Sequence, residues 1–165
     1  MGRLRAKFFE AESLVVLSYD GYLTEDLSNR RQEFLRQLPG YGQIRNFLID
    51  LSRLTGSDET ARRITGQGLS VRMAMAAAAN TGSKLYAMVA PQDSPGYPHA
   101  RMYEMLAVSF ENILAEVFET PQEGAEWLCL DRPAATYLDL STPGWTLLMD
   151  AEEGATTPGA GQHAR

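Results

Sequence analysis

The feature that most restricts the fold is a run of three apolar residues, Phe47-Leu48-Ile49, closed by Asp50 and followed by a polar stretch that contains Gly56. The run is too short for a helix and has the composition of a strand buried on both faces. Upstream, Thr24 stands where an N-cap belongs, Glu25 and Asp26 complement a helix dipole, and Leu27, Phe34, Leu35 and Leu38 recur at helical spacing among Arg30, Arg31, Glu33 and Arg36. Pro39-Gly40-Tyr41-Gly42 ends that helix. Downstream, the polar residues 52–57 read as a loop leading to a helix that starts near Asp58, with Ser57 or Asp58 as its cap. Strand, polar loop and helix start form the junction at which open α/β sheets bind ligands and partners.

The rest of the chain follows the same alternation. Residues 4–10 alternate basic and apolar side chains, the pattern of an edge strand with its cations in water. Glu12-Ser13 permits a tight reversal into the apolar strand Leu14 to Tyr19, and so short a link requires antiparallel pairing. Gly66 and Gly68 break or kink the helix after Asp58, and Leu69 to Ala79 is rich in Met, Ala and Val, so that segment is expected to be buried on more than one side. Asn80-Thr81-Gly82 closes it. Residues 84–90 form a further apolar strand, and 91–98 a loop holding three prolines. Pro98 suits a first helical turn, with Met102, Met105, Leu106, Phe110 and Ile113 as the apolar face. Residues 114–118 form a short strand. Thr120-Pro121-Gln122-Glu123 is a capping box with proline at the first helical position, opening a helix that carries Ala125, Trp127 and Leu128 and ends near Asp131-Arg132-Pro133.

The order β-β-α-β-α-β-α-β-α predicts an α/β domain over residues 1–132: a mostly parallel central sheet of about five strands, an antiparallel edge strand and about four helices. Residues 133–150 form an extension, a hairpin or a docked arm around Pro143-Gly144. Its Tyr137, Leu138, Leu140, Trp145, Leu147, Leu148 and Met149 would be costly in water, and pack on the domain or on a second copy, making a homodimer. Residues 151–165, rich in Gly, Ala and Thr, read as a disordered tail.

Composition removes several functional classes. A net charge of −6 and a pI near 4.9 make nucleic acid and anionic membranes poor partners. No apolar run approaches a membrane span, and no apolar segment of a secretory signal follows Arg3, Arg5 and Lys7. The single cysteine, Cys129, excludes an intramolecular disulfide, and the cytoplasm is the expected compartment. Gly66-Gln67-Gly68 lacks the third spaced glycine of a dinucleotide fingerprint, and neither a phosphate-binding Gly-Lys-Ser/Thr nor a Gly-x-Ser-x-Gly elbow is present. One cysteine and two histidines do not make a zinc site. Ser57, His99 and Asp93 are the one trio from which a hydrolytic triad could be drawn, but convergent loops commonly offer such a trio, and His99 reads as a first-turn surface residue. No enzyme, cofactor or metal is expected.

The run Asp50-Leu51-Ser52-Arg53-Leu54-Thr55-Gly56-Ser57-Asp58-Glu59-Thr60 resembles the strand-to-helix segment of the STAS superfamily, the fold of anti-sigma-factor antagonists. Asp50, Leu51, Ser52, Leu54 and Asp58 fall on its pattern. The family's phosphorylatable hydroxyl falls at Glu59 or Thr60, and its following glycine is Ala61. Lys84 to Ala90, Ala100 to Leu106, Val117-Phe118 and Glu123-Gly124-Ala125-Glu126-Trp127-Leu128 look like the SpoIIAA-like branch, small stand-alone bacterial domains that also resemble CRAL-TRIO lipid-transfer domains. The likeness covers about residues 5 to 130 and implies a regulatory or binding module.

Two mechanisms follow. In the first, Ser52, Ser57, Asp58, Glu59 and Thr60 form a docking surface for a protein partner, and a phosphate on Thr60 would add about −1.5 to −2 charges there; the same residues would equally serve as simple helix caps. In the second, Leu69, Met73, Met75, Met102, Met105 and Leu106 line a pocket for an apolar or lipid-like small molecule, because flexible methionine surfaces adapt to such ligands. The same residues would equally serve as ordinary core.

Overall fold

The computed structural model describes residues 2–58 and 82–149. Among them, a six-stranded mixed sheet carries helices on both faces. β1 (Arg3–Phe9) and β2 (Leu14–Leu23) form an antiparallel hairpin, reversed through Ser13 at φ 49. α1 (Glu25–Gln37) starts as its sequence dictates: the Thr24 hydroxyl accepts from the Leu27 N–H at 3.1 Å, with Glu25 and Asp26 in the first turn. A left-handed Gly40 (φ 66) then leads into the 3-10 turn Tyr41–Gln43. β3 (Asn46–Ser57), β4 (Lys84–Val89) and β5 (Ile113–Phe118) run parallel to β2 and to each other. α2 (Tyr97–Ala107) connects β4 to β5. α3 (Pro121–Trp127) opens on the complete capping box, Thr120 and Glu123 each bonding the other's backbone N–H. The short α4 (Ala134–Tyr137) and β6 (Thr146–Met149) complete the fold. The strand order is β5-β4-β3-β2-β1-β6.

Alternation along the strands divides the core in two. On the first face Val15, Leu17, Tyr19, Phe47 and Leu51 meet Leu27 and Leu35 of α1 and Ala100 of α2. On the second, Leu14, Val16, Leu48, Ala87 and Val89 meet Leu128 and Tyr137, which follow or belong to the C-terminal helices. Phe47 and Leu48 are thus buried on opposite faces of one interior strand, as their continuous apolar run requires.

Several expectations are corrected. The antiparallel strand β1 does not lie at an edge, because β6 pairs antiparallel along its outer side, Met149 opposite Arg3 and Thr146 opposite Ala6. An edge strand presents unpaired backbone donors and acceptors, and residues 146–149 satisfy them. The apolar extension is a short helix plus this sixth strand, with the Asp139 carbonyl accepting from the Trp145 indole N–H at 2.9 Å. Ile113 begins β5 instead of ending the helical face before it. The expected helix over 69–79, its breaking Gly66 and Gly68, and the tail 151–165 lie outside the described residues.

Two basic residues are buried. Arg31 of α1 donates to the Tyr19 hydroxyl at 3.0 Å and the Tyr103 hydroxyl at 3.2 Å, so that its charge is met by phenolic oxygens inside the first face. Lys84, at the head of an apolar strand, places its ammonium 2.5 Å from the Ile44 carbonyl and 3.5 Å from those of Tyr41 and Gly42. Burial, followed by the charge of Arg45, pushes its pKa down. Hydrogen bonds to three carbonyls at the end of the 3-10 turn make that burial tolerable.

The loop before α2 packs against the interior strand at one point. A Cβ on Gly96 would stand 2.3 Å from the Leu51 carbonyl oxygen. Gly96→Ala is expected to lower stability by about 1–3 kcal/mol through this overlap. Urea denaturation checks it: the midpoint falls with an unchanged slope, whereas an unmoved midpoint would show that the loop yields freely.

Candidate functional site

β3 does not stop where its apolar run stops. The residues 52–57 expected as a loop continue the strand, parallel to β2 as far as Ser57 opposite Leu23. The pairing survives through two register shifts, one between the pairs Ser18–Asp50 and Asp20–Arg53 and one between Gly21–Leu54 and Tyr22–Gly56. The polar composition hid the strand because the bulges turn Ser52, Arg53 and Thr55 outward while Leu51 and Leu54 stay in the first-face core. At the first bulge the Asp50 carboxylate accepts both from the Ser52 N–H at 3.0 Å and from its hydroxyl at 2.6 Å. Asp50 is itself buried, and this local pairing holds the irregular backbone.

Register carries the polar character across four strands. Met149, Arg3, Asp20 and Arg53 form one cross-strand row on the second face, and Leu147, Arg5, Ser18 and Asp50 the next. Arg3 pairs with Asp20 at 3.0 Å, and Arg53 donates to the buried Ser18 hydroxyl at 2.9 Å. Lys7 continues the series on β1, donating to the Thr142 hydroxyl at 2.9 Å. On these two rows the cations Arg3, Arg5 and Arg53 stand beside the acids Asp20 and Asp50, on a chain of net charge −6. The basic residues of β1 were legible as a water-facing alternation. Their assembly with Arg53 was not, since it depends on register.

At the end of β3 a second constellation ties the strand to α1. The Tyr22 hydroxyl donates to Asp58 at 3.0 Å, and the other Asp58 oxygen accepts from the Glu25 N–H, the first of α1, at 3.3 Å. Asp58 therefore sits at the positive end of α1 as well as in its own helical first position. The Tyr22 ring lies over Gly56, where a Cβ would come within 2.8 Å of it.

The other sequence candidates separate. Ser52 is exposed and Ser57 buried, while Glu59 and Thr60 lie outside the described residues, as do Leu69, Met73 and Met75. Of the methionine face, Met102 is buried with Ala107 and Ile113, Leu106 packs at that cluster's margin, and Met105 is 54% exposed. These three do not share one buried face. His99 is not a surface residue: it is buried against Tyr103, ring centroids 5.1 Å apart, while Asp93 is exposed. Its place at the third helical position turns it inward once Ala100 docks on the sheet.

The hydrogen bond to Asp58 raises the Tyr22 pKa, with burial and the carboxylate charge adding to the effect. The folded value exceeds the unfolded one, so the stability from this contact is fully present below the ordinary 10.0 and is lost as pH rises through the folded value. In Asp58→Asn, carbon-13 spectra of the tyrosine ring are expected to show Tyr22 titrating closer to 10.0, with at most about 1 kcal/mol lost from the start of α1. An unmoved titration would separate Tyr22 from Asp58.

A scan of the sequence against protein-family models finds no match, and a search among curated proteins finds none either.

Proposed function

We propose that the protein is a non-catalytic regulatory domain of the STAS type that docks a protein partner on the carboxyl-terminal end of β2 and β3. The observation that supports this most is the conformation of residues 52–55: Ser52, Arg53 and Thr55 are presented outward from a strand whose neighbours are buried, not from a free loop. A rigidly held polar edge loses little freedom on binding, which favours recognition. Its acids already hold backbone, Asp50 at the bulge and Asp58 at the start of α1, an arrangement suited to shape more than to proton transfer. The same reading places a phosphorylation switch at Thr60, next to this edge in sequence.

The alternative, a site for an apolar or lipid-like molecule between helices and sheet, draws less support. Met102 is packed as ordinary core, and Met105 faces away from it into partial exposure. Among the described residues no helix is long and apolar enough to cross a membrane.

The docking reading is tested by quantitative affinity purification of the full chain from its own host, comparing wild type with Ser52→Tyr and, as a distant control, Leu114→Glu on the exposed side of β5. A partner retained by wild type and the control but reduced at least tenfold by Ser52→Tyr is expected. Equal recovery with all three proteins would remove this edge from the interface. Thr60 is tested by intact mass after incubation with host kinases; no added phosphate, or phosphate kept in Thr60→Ala, would end the switch.

A further inference from the structure

The second face of the sheet is covered unevenly. α3 packs against β3, β4 and β5, and Tyr137 of α4 joins Phe9, Leu14 and Val16. Beyond them, toward the carboxyl ends of β2 and β3, the face stays accessible: Arg53 is exposed, and the Arg3 side chain and Leu147 are 47% and 50% exposed. Register sets three of these side chains in line. Leu147 of β6 stands opposite Arg5 of β1, Arg5 stands opposite Ser18 of β2, and Arg53 of β3 reaches the same Ser18 hydroxyl at 2.9 Å.

The two acids of this neighbourhood are already engaged. Asp20 bonds Arg3 at 3.0 Å, and the buried Asp50 accepts from the Ser52 N–H and hydroxyl. Among the described residues no carboxylate bonds Arg5 or Arg53: Arg53 holds the neutral Ser18 hydroxyl, and Arg5 is half-buried between Leu147 and Ser18. Two guanidinia thus flank one buried hydroxyl, each able to take a carboxylate through two parallel N–H bonds. Strand spacing and rise put their backbones about 12 Å apart, two strands across and two residues along. Carboxylates at alternate positions of an extended peptide stand about 7 Å apart on one side, and the long arginine side chains cover the difference. The next alternate position of such a peptide falls over Leu147, whose exposed side chain suits an apolar residue.

We infer that the line Arg53, Arg5 and Leu147 receives an extended segment of a protein partner, with acidic residues at alternate positions followed by an apolar one. The inference rests on the docking reading and names the chemistry of its partner, since Arg53 belongs to the outward-presented residues 52–55 and the site runs from there across β2 to β1 and β6. Charge selects the occupant. The net charge of −6 repels long polyanions at a distance, while two arginines without carboxylates attract a short acidic segment at contact.

The test titrates nitrogen-15-labelled full-length protein with the peptide acetyl-Glu-Ala-Glu-Ala-Leu-amide to about 5 mM, enough to populate even a weak complex. The guanidinium Nε–H resonances of Arg5 and Arg53 and the amides of Arg5, Ser18 and Arg53 are expected to shift, while the analogue with both Glu replaced by Gln leaves them in place. Raising sodium chloride from about 50 to about 500 mM is expected to weaken binding about tenfold. The double variant Arg5→Gln, Arg53→Gln is expected to do the same, its amide spectrum reporting that the fold is intact; if it unfolds, Arg53→Lys, which keeps the charge and loses the fork, is expected to weaken binding severalfold. An absence of shifts, equal shifts with the Gln analogue, or shifts confined to other parts of the sheet would overturn the inference. So would co-sedimentation with phosphatidylglycerol vesicles that the double variant loses, which would assign the arginines to a membrane surface. The two readings fail separately: a captured partner lost in Ser52→Tyr, without peptide binding, leaves the docking reading and removes this one, whereas peptide binding at Arg5 and Arg53 without a captured partner keeps the acidic site and removes the docking reading.

Discussion

The parallel pairing of β2 with β3 is the constraint on which the rest depends. It places Phe47 and Leu48 inside the sheet, so that one face can receive α1 and α2 and the other α3 and α4. It also brings Ser18 beside Asp50 and, across the first bulge, Asp20 beside Arg53. A regular ladder over the same residues would shift each side chain to the opposite face beyond the first bulge. Arg53 would then leave its place beside Asp20.

The architecture was legible because its signals were periodic. Thr24, the Thr120–Glu123 capping box and the Phe47-Leu48-Ile49 run each carry a local physical requirement, and the structure meets each locally. Legibility failed where a residue's environment comes from far along the chain. Arg31 looks like a solvated helix position until Tyr19 and Tyr103 close around it. Lys84 opens an apolar strand, and its burial is explained only by the three carbonyls that the turn at residues 41–44 offers. Residues 52–57 look like a loop because outward-bulged serine and threonine are also what loops contain. Of the candidate site, Ser52 and Asp58 were visible in sequence, whereas Arg3, Arg5, Asp20 and Arg53 become a unit only through register.

Arg31 and Lys84 also show two ways to bury a cation. Arg31 donates to phenolic oxygens and Lys84 to backbone carbonyls. Neutral acceptors give up Coulombic attraction and avoid desolvating a second ion, the larger cost of a buried ion pair. Both residues thereby fasten α1 or the turn after it to the sheet, Arg31 through β2 and α2, Lys84 through the amino end of β4. The first-face core is pinned at two separated points by directional bonds.

β6 joins segments made at very different moments. Lys7 bonds Thr142, 135 residues later, and β1 receives its outer neighbour from the same late stretch. During synthesis β1 and β2 are free to pair as soon as they emerge, yet the outer rim of β1 stays uncovered while the ribosome makes everything between. A nascent chain stalled in that interval would display a row of open amides and carbonyls to neighbouring polysomes. The alternating Arg3, Arg5 and Lys7 then serve a second purpose, since like charges discourage two such rims from zipping together before the last strand arrives.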